Sequence, residues 1–499
     1  MNPSNPPSAS SPPERHSRFF RWPGARRVLI VAAWCVTLPV LFVVEENWRG
    51  ERAWHAFKKE MAASGETLEL ADLVPPPAAD AENFAMTPFL APLFDYRLPT
   101  RAEESIAWRD TNAFQRVEAF GRSVLTNLTD LPALDTATDR SALRSAAQAN
   151  LRRLAECDPV LEELRAATRR PRSRFNIHYD ELPGSALQHL ALLKRLVLLM
   201  KARAQAELAL DQPAQALDDI RLAFHTLDAS KDEPILISQL VRIACLQLLL
   251  PTIQQGLATH QWNESQLAAL EARLASFDFL AAYKLAIRGE RVCINRALDR
   301  HRLEAALWEV MEEQQPSRPP WVARLIPSGW FYRNMIVMDR LIQELVLSPV
   351  DTAGRRVHAD AARRLDQTMQ GRVGAITPYT VLARLLADLS SPMREATLRK
   401  FARAQSQADQ AAAVCALERY RLAHGQYPET LTALVPALLH AVPQDILTGK
   451  PLIYRPTGTG GFMLYSVGWN LTDESGLIAM TKERTPRPDL AQGDWVWGR

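Results

Sequence analysis

The sequence predicts a mainly α-helical protein with a single transmembrane helix near its N-terminus and an α+β domain at its C-terminus. Three observations support this prediction: one uncharged apolar run, long Leu- and Ala-rich stretches in the centre, and short strand-like runs after about residue 396. Glycine is scarce (20 residues) and proline is common (34), which favours helices joined at prolines. With 499 residues, the chain is long enough for several folding units.

Residues 28–44 form the uncharged run of 17 residues. As a helix, this run approaches the roughly 30 Å of hydrocarbon in a bilayer. Five arginines lie in residues 1–27, whose Pro/Ser-rich start predicts a disordered basic tail, and Glu45 and Glu46 follow the run. The positive-inside rule then predicts a cytoplasmic N-terminus and an extracytoplasmic bulk. We expect a single-pass protein of the cell inner membrane, with its C-terminal mass in the periplasm.

Other interpretations of the apolar run fit less well. The sequence LFVVEEN at its end offers no small-residue cleavage site of the signal-peptidase type. A lipoprotein needs a small residue before its cysteine, whereas Trp34 precedes Cys35. The pair Arg26–Arg27 is compatible with a twin-arginine export signal, but paired arginines before an anchor are commonly positive-inside charge. The sequence therefore favours an uncleaved anchor.

The distribution of charge argues against a nucleic-acid partner. The whole chain carries +3, and residues 1–27 alone carry +4, so the remainder has no basic excess for a phosphate backbone. The five cysteines are widely spaced and lack a CxxC pair, which fits neither a disulfide framework nor a zinc site. We expect them to be small buried apolar residues, although an oxidising compartment would permit one disulfide.

Residues 45–100 predict a charged helix followed by a Pro-rich linker, or by an extended segment laid over the body. Residues 101–390 predict a helical body. Within it, residues 186–210 and the stretch opened by Pro213 predict a helical hairpin. This hairpin resembles one tetratricopeptide-type unit at Ala216, Ile220 and Ala223, but no second copy recurs at a fixed period. An ordinary αα-hairpin is the alternative.

A proline- and aromatic-rich stretch at residues 316–332 interrupts the helices. Trp321, Trp330 and Phe331 in this stretch predict either an exposed patch for a membrane surface or partner, or ordinary burial at a helix joint. Burial is the favoured interpretation.

The sequence contains no recognisable catalytic signature. It lacks a Gly-rich phosphate loop, a GxSxG elbow, an HExxH pair and an EF-hand. His178, Asp180 and Glu181 cluster in NIHYDE, a composition that fits a metal site or a solvated loop. Four glutamates share one predicted helix and are expected to face water: Glu304, Glu309, Glu312 and Glu313. The sequence therefore favours a non-enzymatic protein without a defined cofactor.

Residues 391–499 predict a long helix on a small antiparallel sheet. The helix is expected to end at Gly425, since glycine is the usual residue just beyond a helix C-terminus. Residues 452–455 and 462–467 have strand composition and are joined by the turn-rich sequence PTGTGG.

These roughly one hundred residues resemble the globular head of type II secretion major pseudopilins. The matching segments are Ala416–Pro428, Leu431–Pro436, Pro443–Pro451 and Tyr465–Gly468, in the family's order. The resemblance implies protein–protein contacts in secretion or pilus-like machinery.

The same resemblance implies a calcium-binding loop after the hairpin. The matching positions are Asn470 and Asp473, with Asp489 or Asp494 as late ligands. Oxygen ligands of this kind suit calcium. The family's usual first aspartate is Asn470 here, and the Gly-rich part of the loop differs. An Asx-turn loop without a cation is the alternative.

The chain departs from pseudopilins at its N-terminus, where GARRVLIVAAW lacks the family's cleavage site and glutamate. The order WHAFKKE, GETLEL, PPPAADAENFA resembles a family of uncharacterised, membrane-anchored bacterial envelope proteins. We expect an anchored component that contacts other envelope proteins. The alternatives are an anchored helical-repeat module binding a peptide or cell-wall ligand, and an envelope hydrolase with a site assembled from scattered residues.

Overall fold

The computed structural model describes residues 23–97, 107–134, 139–179, 187–298, 326–364, 377–380, 395–457, 460–483 and 487–498. Helices dominate this part of the chain, which confirms the mainly α class. The α-helices are α1 (Pro23–Ala63), α2 (Thr111–Ala119), α3 (Arg122–Thr126), α4 (Arg140–Leu154), α5 (Asp158–Ala167), α6 (Gln188–Ala209), α7 (Pro213–Asp228), α8 (Leu236–Ala258), α9 (Glu264–Ala275), α10 (Phe279–Leu298), α11 (Ser328–Leu341), α12 (Ala359–Arg363) and α13 (Glu395–His424). The strands are β1 (Tyr96–Arg97), β2 (Ala107–Trp108), β3 (Val350–Asp351), β4 (Arg356–Val357), β5 (Ile453–Pro456), β6 (Phe462–Ser466) and β7 (Trp495–Val496).

Helix α1 is one continuous helix of 41 residues that joins the apolar run to the charged segment after it. It is long and apolar enough to cross a membrane, and its apolar window is not buried by the rest of the protein. Its second half packs against α11. Helix α8 meets the same length and composition test, but 61% of its window is buried, which identifies it as a core helix.

The predicted hairpin is present as α6 and α7, which pack against each other. Pro213 occupies the first turn of α7, where its missing N–H costs no hydrogen bond. Ala216, Ile220 and Ala223 are fully buried, as expected for the inner face of the hairpin. Helix α6 also packs on α4 and α8, which places the hairpin at the centre of the body.

The Pro-rich segment before β1 lies over the helical body in short 3₁₀ turns rather than projecting as a linker. Its Phe84 is fully buried and donates its N–H to the carbonyl of Arg172 (2.8 Å). The Asn83 side chain donates to the carbonyl of Arg174 (2.8 Å) and accepts from Ala85 N–H. Proline prevents regular helix here, so turns and cross-chain hydrogen bonds satisfy the backbone instead.

Two antiparallel pairs of two-residue strands, β1–β2 and β3–β4, were not predicted. Strand β1 lies at the end of the predicted Pro-rich linker, and β2, β3 and β4 lie within the predicted helical body. Strands this short are below the length at which alternation of apolar and polar residues becomes visible in a sequence.

The C-terminal region has the predicted helix and antiparallel sheet. Helix α13 is followed by Gly425, whose φ of +78° is the left-handed conformation that ends helices. Strand β6 lies between β5 and β7, with Tyr454 opposite Leu464 and Tyr465 opposite Val496. Helix α13 contacts β6 as well as α8, α9 and α10, so it shares its core with both regions. The predicted domain boundary between residues 390 and 391 stays a prediction.

Candidate functional site

Asn470 and Asp473, two of the residues predicted to bind calcium, lie in the loop directly after β6. The side-chain amide of Asn470 donates to Glu474 Oε1 (2.6 Å). Asp473 Oδ1 accepts from the hydroxyl of Tyr465 (2.9 Å) and from Ser475 N–H (2.8 Å). The Asp473 carboxylate is thus occupied in closing the loop.

Asp494 returns to this loop from the C-terminal end of the chain. It is only 2% exposed and accepts from Gly476 N–H (2.6 Å) and Glu474 N–H (3.4 Å). Burial raises its pKa above the ordinary value, while the two backbone donors act in the opposite direction. Asp489 Oδ1 instead accepts a hydrogen bond from the N–H of Ala491 (2.9 Å) in a separate turn. Of the predicted ligands, Asp473 and Asp494 therefore both bond the backbone of the same loop, at Ser475 and Gly476. Asp489 belongs to a different turn.

Glu474 is the member of this loop that sequence reasoning missed. It bonds Asn470 through one carboxylate oxygen, and its other oxygen is buried with no hydrogen-bond partner in the described residues. The adjacent acids in TDES were the only sequence signal for it. Within the described ranges, no group of three or more His, Cys, Asp or Glu side chains is arranged to hold a metal ion. Calcium binding through Asn470, Asp473 and Asp494 stays a prediction.

The NIHYDE cluster is only partly described. His178 is half-buried and packs edge-on against Tyr96 (5.6 Å between ring centroids). Asp180 and Glu181 lie outside the described residues, as do Trp321 and the four glutamates from Glu304 to Glu313.

A different histidine has a carboxylate partner. His189 Nε2 lies 3.0 Å from Glu233 Oε1, and the hydroxyl of Ser238 donates to the other oxygen of Glu233. All three side chains are buried, and the ring of Phe175 covers His189 at 4.4 Å. A nucleophilic triad places histidine between serine and carboxylate, whereas here the carboxylate is in the middle. This trio is therefore a buried polar network in the core.

The aromatic joint before and within α11 is buried rather than exposed. Phe331 is 5% exposed and packs with Met335 and Leu298. Trp330 is half-buried and lies edge-on to Tyr379 (6.4 Å). Phe331 and Trp330 therefore pack at a helix joint, as the favoured interpretation predicted.

The joint also fixes the body to α1. A methyl group at Gly50 would collide with the backbone of Gly329, and one at Gly329 would collide with the carbonyl of Glu46. The two helices therefore cross with their backbones in contact, which only glycine permits. Beyond the crossing, Glu66 makes two hydrogen bonds to Arg288 (2.6 and 2.9 Å) and one to the buried Arg291 (3.0 Å).

A cleft of about 380 Å³ lies between the Pro-rich segment, residues 170–174 and the end of α7. Four cationic side chains line it: Arg170, Arg172, Arg174 and Lys231. No sequence motif predicted this cleft. The residues that line the cleft are Pro75, Pro76, Ala78, Arg170, Pro171, Arg172, Ser173, Arg174, His225, Asp228, Ala229, Lys231 and Asp232.

No protein-family model matches this chain, and no curated protein or solved structure is significantly similar to it.

Proposed function

We propose that this chain is a single-pass protein of the bacterial inner membrane whose periplasmic body makes protein–protein contacts as an envelope assembly component. The observation that carries the proposal is the continuity of α1. Its apolar half is exposed along residues 28–44, and its charged half is packed against the body. An exposed apolar helix of this length has no stable place in water, but it is stable in a bilayer.

The flanking charges support the proposed orientation. Arg26 and Arg27 stand at the N-terminal end of the run, and Glu45 and Glu46 stand at its other end. Arginine is retained on the cytoplasmic side of inserted helices, so the body lies on the opposite side. The Gly50–Gly329 crossing begins only about two helical turns beyond Val44, which holds the base of the body close to the membrane surface.

An assembly role is supported by the arrangement of the C-terminal region. The long helix α13, the turn at Leu431–Leu434 and the β5–β6 hairpin follow one another in the order of a pseudopilin head. Contacts with secretion or pilus-like machinery are the corresponding proposal, which rests on this likeness of element order and motif.

Crosslinked affinity capture of the full-length protein from membranes tests the proposal. A bait consisting of residues 1–63 supplies the control, because it shares the anchor and lacks the body. We expect envelope-assembly proteins to be enriched with the full chain over this control. Equal recovery with both baits would contradict the assembly role, and recovery of the full chain in the soluble fraction would contradict the anchor.

A further inference from the structure

The cleft between the Pro-rich segment and the helical body has walls held in place before any ligand arrives. Ser173 Oγ donates to the carbonyl of Ala229 (2.9 Å), which ties two of the walls together. Arg170 Nη1 donates to the carbonyls of Asp80 (3.1 Å) and Asn83 (2.9 Å), and these bonds attach the Pro-rich segment, which forms the third wall, to residues 170–174. A preformed cavity avoids the entropic cost of ordering its walls on binding.

The charges that line this cleft are not balanced. Arg172, Arg174 and Lys231 make no side-chain hydrogen bond or ion pair with any residue in the described ranges. Of the two lining carboxylates, Asp228 is already paired with Arg242 (2.9 Å) and with Arg273. Asp232 is the remaining carboxylate, so the cleft carries an excess of positive charge.

Three further features define what the cleft offers a ligand. The Nε atom of Arg174 is buried and has no hydrogen-bond acceptor among the described residues, a situation that is energetically unfavourable. Burial lowers the pKa of His225, so this ring is neutral at pH 7 and the positive charge comes from arginine and lysine. Pro75 and Pro76 add apolar surface to the lining of the cleft.

We propose that this cleft binds a small ligand bearing carboxylate or phosphate oxyanions, with Arg172 and Arg174 as the principal donors. Guanidinium groups form paired hydrogen bonds with both kinds of oxyanion. The volume lies at the lower end of the ~300–1,000 Å³ usual for small-molecule sites. This binding goes beyond the proposed assembly role, because the cleft belongs to the helical body and its ligand is not a protein surface.

Isothermal titration of the full-length protein in phosphatidylcholine nanodiscs tests the proposal, with pyrophosphate and the dipeptide acetyl-Glu-Glu as separate probes. We expect at least one probe to bind with Kd below about 1 mM. The double variant Arg172→Gln/Arg174→Gln should weaken that binding at least about tenfold. Binding of pyrophosphate alone identifies a phosphate ligand, and binding of the dipeptide alone identifies a carboxylate ligand.

The variant Arg169→Gln provides the matched control. Arg169 is an exposed arginine of the same segment and does not line the cleft. It should leave binding unchanged, and equal melting temperatures should show that all three proteins are folded. No heat with either probe at about 5 mM, or equal weakening by Arg169→Gln, would overturn the proposal. Neither result would affect capture of envelope partners, so the two proposals fail separately.

Discussion

Two groups of charged side chains in the helical body differ in whether the fold provides their partners. In the first group, Asp219 accepts hydrogen bonds from Arg203 Nε (2.7 Å) and Arg165 Nη2 (2.7 Å). In the second group, Arg172 and Arg174 line a cleft without a carboxylate partner in the described part of the chain. Paired charges of the first kind hold helices together, and unpaired charges of the second kind remain available to a ligand.

Burial explains the difference between the groups. Asp219 is 1% exposed between α5, α6 and α7, and a carboxylate placed there without partners would carry a large desolvation cost. Arg172 is exposed at the rim of the cleft, where water solvates its charge. The fold therefore has to pair Asp219, but it does not have to pair Arg172.

The largest expected effect comes from removing the shared carboxylate of the paired group. Asp219→Ala removes the buried acceptor that Arg203 and Arg165 share. Among the described residues, it leaves them only the more exposed Asp158 and Glu162 as hydrogen-bond acceptors. We expect a loss of about 3 kcal/mol in the free energy of unfolding, the lower end of the range for breaking a buried ion pair. Urea denaturation followed by circular dichroism measures it.

The control is Asp218→Ala, since Asp218 is 63% exposed and, among the described residues, accepts a side-chain hydrogen bond only from the exposed Arg221 (3.3 Å). Its loss should stay below about 0.5 kcal/mol. Similar losses in both variants would contradict this account of the paired group.

The second prediction concerns the pH dependence of the same group. Burial, with the nearby Asp219 carboxylate adding to it, raises the pKa of Glu207 to about 8. A glutamate in the unfolded chain titrates near ~4.3, so across that window the folded state holds a proton that the unfolded state has released. This difference makes stability fall as pH rises from about 4.3 to about 8.

Glu207→Gln removes that titration. We expect its melting temperature to exceed that of the native protein at pH 8 and to match it near pH ~3.5, because the native carboxyl is protonated in both states only below its unfolded pKa of ~4.3. Thermal scans from about pH 3.5 to about pH 9 check this. The control Glu156→Gln, at an exposed position of the same region, should leave the pH profile unchanged. A profile of Glu207→Gln parallel to that of the native protein would be inconsistent with a raised pKa.

The sequence was sufficient to predict features that depend on local pattern. The helix composition, the α6–α7 hairpin opened by Pro213, the end of α13 at Gly425 and the β5–β6 hairpin each follow from neighbouring residues. The extent of α1 could not be predicted in this way. The change from apolar to charged residues at Glu45 suggested two separate helices, whereas the backbone forms one. Composition changes at a membrane boundary without interrupting the hydrogen bonds of the helix.

The candidate sites were less predictable because their members are distant in sequence. The basic cleft brings Pro75 together with Arg172 and Lys231, and no motif spans such separations. The Asp219 pairing likewise joins three helices. Asp494 was identified as a partner of Asp473 only through the resemblance of the loop, whereas the role of Glu474 depended on side-chain directions that the sequence does not encode locally.

The third prediction concerns the loop after β6, where the fold supplies backbone donors as partners. Asp494→Ala leaves the N–H groups of Gly476 and Glu474 without acceptors, and we expect a loss of about 1–3 kcal/mol. Asp489→Ala, which removes one cap on Ala491, should cost less. Urea denaturation compares the two.

Thermal unfolding of the full-length protein and of Asp494→Ala, with and without calcium chloride, tests the predicted calcium loop. The calcium prediction requires a higher melting temperature in the native protein and no increase in Asp494→Ala. A site holding calcium at about 100 times its Kd would stabilise the protein by ~2.7 kcal/mol. An unchanged melting temperature in the native protein would contradict the calcium prediction and leave an Asx-type loop.

The smallest expected effect is on stability at the cleft. Replacing an arginine by glutamine both in the cleft and in the Asp219 group compares the two groups most directly. Arg172→Gln should change the free energy of unfolding by no more than about 0.5 kcal/mol, since this exposed side chain has no partner to lose in the described residues. Arg203→Gln should cost several times more, because it removes one of the donors to the buried Asp219. If Arg172→Gln proved as destabilising as Arg203→Gln, the cleft arginine would be part of the folded framework. Near-neutral stability together with lost oxyanion binding is the combination that a structural arginine does not produce.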